Sequence, residues 1–454
     1  MKDAPFDLVI ANGLVVTAAE TFRADVAVRG ERIAAIGLDL PGRRVIDATG
    51  KVVIPGAVDA HVHLQLPVPD AVSADDWRAG TLAAACGGVT TVIDFVDPLP
   101  GQPLLEALAQ RRAEADGQAA IDYALHMVVA DASRKVLAQL PAVMAAGVPS
   151  FKLFMAYEGK YLADDQLYLA LRELAALDAL AFVHAENYPI IRLLTREFLA
   201  AGQVEPHWHA RSRPAITEGE AAGRLIALAE AVGARACIAH ISCDAVVAQI
   251  RAARARGVPI YGETCPQYLI LTDEVYERPH GERFVCAPPL RGPADQASLW
   301  RALADGDLQV VSTDHCPFRA RDKERGRHDF THIPGGVPGV ETRLALLYDR
   351  GVRCGRLTLS QWVDLCCTQP ARLFGLTNKG SIRVGADADL VIFDPARTHP
   401  LTADRLHSQI DYSIYEDITV TGWPTTTIGR GQILVEDGRY VGPPGYGRFV
   451  ERNV

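Results

Sequence analysis

The chain has 454 residues, 49% apolar and 22% charged, with a formal net charge of −9. That composition allows a large buried core, and its acidity argues against nucleic acid or an anionic membrane surface as partner. Nine cysteines, an odd number scattered through apolar runs such as "RACIAH" and "DLCCTQ", read as reduced, buried thiols of a cytoplasmic protein rather than a disulfide framework.

The first stretch, "MKDAPFDLVIANGLVV", reads as no signal peptide, because Asn12-Gly13 breaks its apolar run as a turn. Nowhere do ~18 apolar residues run together, so no membrane span is expected. "DLVIANGLVV" (7–16) is echoed by "ADLVIFDPA" (388–396) near the other end. Around these lie strand-turn-strand patterns at 24–37 and 425–441, with Arg29-Gly30, Arg430-Gly431 and Asp437-Gly438 as hairpin turns. Residues 1–53 and 380–440 are therefore expected to form one small β-sandwich domain. Residues 54–379 form a second unit, and 441–454 a polar, Gly/Pro-rich tail expected to lie over a neighbouring subunit.

Between the ends, apolar β-like runs alternate with Ala/Leu-rich helical ones. The eight β runs are "PGAVDAHVHL", "TTVIDFV", "IDYALHMVV", "SFKLFMAY", "LAFVHAEN", "ACIAHIS", "PIYGETC" and "LQVVSTDHC". Helices are expected at 74–86, at 132–146 with Asp131 as N-cap, and at 218–232 with a Thr217/Glu220 capping box closed by Gly233. Eight β/α repeats read as an α/β fold, a (β/α)8 TIM-like barrel whose site lies at the C-terminal strand ends.

Those ends carry the chemistry. In "DAHVH" a strand would turn His61 and His63 to one side and Val62 to the other, so two imidazoles could hold one metal ion. Taken singly, His184, His240 and Asp314 suit ordinary roles as hydrogen-bonded core or capping residues. Four histidines and an aspartate, each ending a barrel strand, instead suit Zn²⁺ or a similar divalent ion. Lys152 sits inside the apolar run "SFKLF", where an ammonium beside a dication would be repelled. A neutral amine there can react with CO₂ to give a carbamate, an anion able to bridge two metals. A carbamate, the Asp314 carboxylate and a bridging hydroxide would offset three of four positive charges. Cys237, His240 and Cys243 are spaced by three, which does not share a strand face, so those cysteines read as packing, as do Cys366 and Cys367.

The ordered set His61, His63, Lys152, His184, His240 and Asp314 resembles the amidohydrolase superfamily. The stretches "SADDW", "GGVTTVIDF", "FKLFMAY", "ETCPQYL", "PPLR", "STDHCPF" and "KGSIRVGADADLVIFDP" resemble its cyclic-amidase branch, the dihydropyrimidinases and hydantoinases. The resemblance implies one metal held by His61, His63, carboxylated Lys152 and Asp314, and another by Lys152, His184 and His240, with a hydroxide between. The metals would be zinc, with manganese or cobalt able to share such ligands. Asp314 would be the general base and Tyr157 the oxyanion donor. Backbone groups of "CAPPLR" and "IPGGVPG" would grip the substrate's amide edge; there Ala287 replaces a usual serine and Gly335 a usual asparagine.

The implied reaction opens a hydantoin or dihydropyrimidine ring to an N-carbamoyl amino acid, in a homotetramer, with "PDAVSADDW" as a lid over the ring substituent. The charged stretch "RARDKERGRHDF" reads as a solvated loop. The rivals are an allantoinase or dihydroorotase, and a non-catalytic dihydropyrimidinase-like scaffold. Dihydroorotases typically carry an arginine where this chain has Gln65, and the scaffold class loses ligands that this chain keeps.

Overall fold

The computed structural model describes residues 5–453. All eight expected β runs form parallel strands: Ala57–Asp59, Val89–Val96, Asp122–Val128, Ser150–Phe154, Leu180–His184, Arg235–Ile238, Ile260–Thr264 and Val310–Val311. They pair in chain order as an eight-stranded sheet. The barrel closes where the first and eighth strands end: Val62 bridges His315, and His63 N donates to His315 O at 2.8 Å. The interior is filled by Val58, Ile93, Phe95, Ala124, Val128, Phe182, Cys237 and Val310. A second, larger apolar layer packs the helices around the outside.

The two chain ends share one nine-stranded mixed sheet, in which Val52–Pro55 pairs with both Phe6–Val16 and Leu390–Pro400. Its core holds Leu8, Ile10, Val26, Val53, Leu390, Ile392 and Ile428. A buried cation joins this sheet to the barrel: Lys379 Nζ lies 2.6 Å from Asp122, 2.8 Å from Asp389 and 3.0 Å from Asp387. All nine cysteines are free and eight are buried, Cys354 being the exposed one.

Several local expectations are corrected. Asn12-Gly13 is no turn: Phe6–Val16 runs through it as one strand with a register shift between Ile10 and Gly13. Asn12 takes a φ of 64°, and its N–H bonds Asp25. The segment 132–146 is two short helices, Arg134–Leu137 and Leu140–Ala145, with Ser133 rather than Asp131 at the first N-cap. Pro141 explains the break, since it lacks the N–H a continuous helix needs. The helix expected from 218 starts at Ala215, so Thr217 lies in its first turn and bonds back to Pro214 O.

The tail lies on its own barrel. Gly447 N donates to Ala119 O, Val450 N donates to Tyr123 O, and Tyr123 N donates to Arg448 O, all within 3.0 Å. Arg452 is buried against the barrel floor, bonding Phe374 O and Leu125 O. Glycine here reflects close approach, because a Cβ on Gly447 would sit 1.9 Å from Ile121 O. The stretch 319–330 is not merely solvated either. It forms a short helix, Ala320–Glu324, whose Lys323 is fully buried.

Candidate active site

The strand ends bring the six predicted ligands together at one mouth of the barrel. His61 and His63 leave the first strand on the same side, and each Nε2 lies 3.1 Å from Oδ1 of Asp314. Val62 between them is buried in the packing layer. The imidazoles then run in a chain: His61 to His240 at 5.4 Å between ring centres, His240 to His184 at 4.5 Å, and His184 to the Tyr157 ring at 4.8 Å. Lys152 reaches in from the fourth strand, where its register sets it beside Val128 and Phe182. Its Nζ lies 4.4 Å from the centre of the Phe182 ring, and that ring is 5.0 Å from His61.

The backbone at the site is unusual. Tyr157, His240 and Asp314 have φ of 72°, 39° and 51°, in the left-handed region that non-glycine residues enter at a cost. Asp314 is held from both sides. On one, Thr313 N and Oγ1 both donate to the buried Asp59 carboxylate. On the other, His315 O receives the N–H of His63.

Burial and charge set the protonation states. Burial pushes the imidazoles of His61, His184 and His240 down, which keeps them neutral and able to ligate. Burial also pushes the Lys152 ammonium down, against the pull of Asp314 and Glu263. Asp314 goes the other way: burial would raise it, but facing His61, His63 and Lys152 it is held down to about 2.

The residues present fit metal ions. Four buried polar atoms, His61 Nε2, Lys152 Nζ, His240 Nδ1 and Glu263 Oε1, make no hydrogen bond. A buried donor or acceptor left so costs ~1–3 kcal/mol, and several at one place need a common partner. His61, His63 and Asp314 each offer a ligand atom within 4.8 Å of the others.

Three supporting residues, Glu263, Glu186 and Arg213, are not singled out by the sequence. Glu263, at the end of the seventh strand, accepts from His240 N at 3.0 Å and lies 2.9 Å from His61 Nδ1. That bond places the proton on Nδ1 and leaves Nε2 facing Asp314, as a metal-binding histidine requires. Glu186 lies 2.7 Å from His184 Nε2, which leaves Nδ1 outside that bond, and Arg213 Nη1 donates to Glu186 at 2.5 Å. One signal does point to Glu263: in "YGETC" it is a carboxylate closing an apolar strand, like the histidines on neighbouring strands.

The two expected substrate loops lie side by side. Gly336 N donates to Val285 O at 3.0 Å, next to Cys286 and Ala287. Lys323 Nζ donates to the same carbonyl at 2.7 Å, and His209 Nε2 to Cys286 O at 2.9 Å. A Cβ on Gly335 would meet nothing within 4 Å, so the exchange of asparagine for glycine there relieves no clash. Gly336 is different: its φ is 146°, and a Cβ would sit 2.4 Å from Cys316 O.

An amidohydrolase family model matches residues 52–434. A D-hydantoinase from Geobacillus stearothermophilus is 45% identical over 451 residues, covering 98% of this chain and 96% of its own. The crystal structure of a dihydropyrimidinase from Brevibacillus agri NCHU1002 superposes with a TM-score of 0.96 at 43% identity, over 98% of each chain. An L-hydantoinase from Arthrobacter aurescens superposes with a TM-score of 0.92 at 32% identity, over 98% of this chain and 100% of its own. With strand-end ligands, barrel and full-length likeness in agreement, this chain belongs to the amidohydrolase family, in its hydantoinase and dihydropyrimidinase branch.

Proposed function

We propose that this chain hydrolyses the cyclic amide C–N bond of a hydantoin or dihydropyrimidine, giving an N-carbamoyl amino acid. The observation that carries the reading is the cluster of His61, His63 and Asp314 with ligand atoms within 4.8 Å of one another, flanked by His240, His184 and Lys152, with buried atoms there that lack hydrogen-bond partners. His61, His63, Lys152 and Asp314 would hold one divalent ion, and Lys152, His184 and His240 a second, with Lys152 carried as its carbamate. Zinc suits these ligands best, and manganese or cobalt could replace it. Bound there, such ions supply positive charge that polarises the scissile carbonyl and makes water acidic.

The protein's own groups do the rest. Asp314, ionised and held beside His61 and His63, accepts the proton of the attacking water and later passes it to the departing ring nitrogen. Burial raises the Tyr157 phenol, so it stays a neutral donor for the developing oxyanion. Backbone groups at Ala287 and Gly335 hold the amide edge. The segment 69–77, which includes the short strand Ala71–Val72, would cover the ring substituent.

The catalytic barrel is assigned to 54–379, the β domain to 1–53 and 380–440, and the tail to 441–454, residues 1–4 and 454 lying outside the described residues. The working form is a cytoplasmic homotetramer; among the described residues no helix is long and apolar enough to cross a membrane.

The test is turnover of 5-substituted hydantoins, both enantiomers, and dihydrouracil by metal-loaded protein. Ring opening of at least one is expected. Failure on all, with two metals bound, would reject this substrate class and leave the metal site standing.

A further inference from the structure

His315 follows Asp314 directly and is 1% exposed. Its ring nonetheless has a defined partner on each nitrogen. Nδ1 accepts from Gly339 N at 3.1 Å and from Val340 N at 3.4 Å. Because Nδ1 is an acceptor, the proton sits on Nε2, which donates to Asp75 Oδ2 at 3.0 Å. Asp75 is fully buried and also receives Ser408 Oγ and Gln409 N, each at 2.6 Å. Its backbone carbonyl receives Gln65 N at 2.7 Å.

These bonds join four separate segments at one imidazole. Gly339 closes the "GGVPG" loop that begins at Gly335. Asp75 closes the lid segment that follows His63. Ser408 and Gln409 belong to the excursion between the β-domain strands Leu390–Pro400 and Thr419–Gly429. The backbone of His315 itself carries Asp314 on one side and receives His63 N on its carbonyl. Asp314 keeps a left-handed backbone only while both flanks are held, and His315 is one of those flanks.

We propose that His315 and Asp75 are a positioning pair that locks the substrate-gripping loop and the lid to the backbone of Asp314. The two ring nitrogens divide the work, with Nδ1 holding the gripping loop and Nε2 holding the lid through Asp75. The inference rests on the proposed roles of Asp314 and Gly335, but the bonds themselves can be tested without turnover.

Two near-isosteric variants separate the two nitrogens. Glutamine at 315 places an amide N–H where Nε2 stands, so it keeps the Asp75 bond and loses the acceptor for Gly339. Asparagine places an oxygen where Nδ1 stands, so it keeps Gly339 and loses Asp75. In His315→Gln, amide exchange should rise in a peptide spanning 335–342 and stay unchanged in one spanning 64–76; His315→Asn should give the reverse. With a turned-over hydantoin, His315→Gln should raise KM about fivefold or more, the worth of one buried hydrogen bond, with the smaller effect on kcat. His315→Asn should show the smaller effect on KM. Metal content should stay at the wild-type level in both.

Exchange that rises equally in both peptides for both variants, or in neither, would overturn this division between the nitrogens. So would an activity loss that only follows metal loss. If wild-type protein turns over no hydantoin, the functional reading fails, while the exchange pattern still decides the positioning pair.

Discussion

The Nζ of Lys152 lies 4.4 Å from the centre of the Phe182 ring and 5.3 Å from that of Phe95, and makes no hydrogen bond. Aromatic faces stabilise a desolvated cation by only about 2 kcal/mol, less than the several kcal/mol that burial of an ion costs. Burial thus lowers the ammonium to about 8, so a larger share of the amine is in the neutral form that reacts with CO₂. Lys152→Ala should lose bound metal and activity together, by metal analysis and assay. A short carboxylic acid, filling the space with a carboxylate, should restore part of both.

Tyr157 stands over the His184 ring with its phenol kept neutral by burial. Tyr157→Phe removes one donor and little else. The expected result is a kcat lower by about 10²–10³, with metal content and thermal midpoint unchanged. A loss seen only in KM would remove Tyr157 from the chemistry.

Glu263 ties His61 Nδ1 to the backbone N–H of His240. Glu263→Gln keeps the shape but weakens the fixed proton position on His61. Metal affinity should fall about 10–100-fold, read by competition with a chelator, while the folded barrel persists by circular dichroism.

Glu186 gives a pH signature. Burial would raise its carboxyl, but Arg213 first and then His184 hold it down to about 2, against an ordinary 4.5. A folded-state value below the unfolded one means stability fully present above pH 4.5 and lost as pH falls towards 2. That difference is worth about 3 kcal/mol. The metal-free wild type should lose thermal midpoint across this window. Glu186→Gln should be less stable at pH 7 and flatter below pH 4.5.

Much of the site is legible along the chain because it is local. His-x-His puts two rings on one side of one strand, and Lys152 to Tyr157 is a single strand and its exit. The eight apolar runs mark eight strands because a strand buried on both faces must be apolar throughout. The helix boundaries at 132–146 and 218–232 follow prolines instead of the capping pattern: Pro141 separates the first into two helices, and Pro214 stands at the N-cap of the second, just before Ala215.

Which strands end in ligand-type side chains can be read along the chain, and with it the family and the reaction class it supports. What stands behind those side chains depends on how the barrel closes. Glu263 meets His61 across 202 residues, and Asp75 meets His315 across 240. No periodicity records such pairs, since barrel closure, not local spacing, brings them together. The tail shows the same: its polar, Gly/Pro-rich composition suggests a segment laid over a neighbouring subunit, but it bonds its own barrel, where the Ile121 carbonyl leaves no room for a side chain at Gly447.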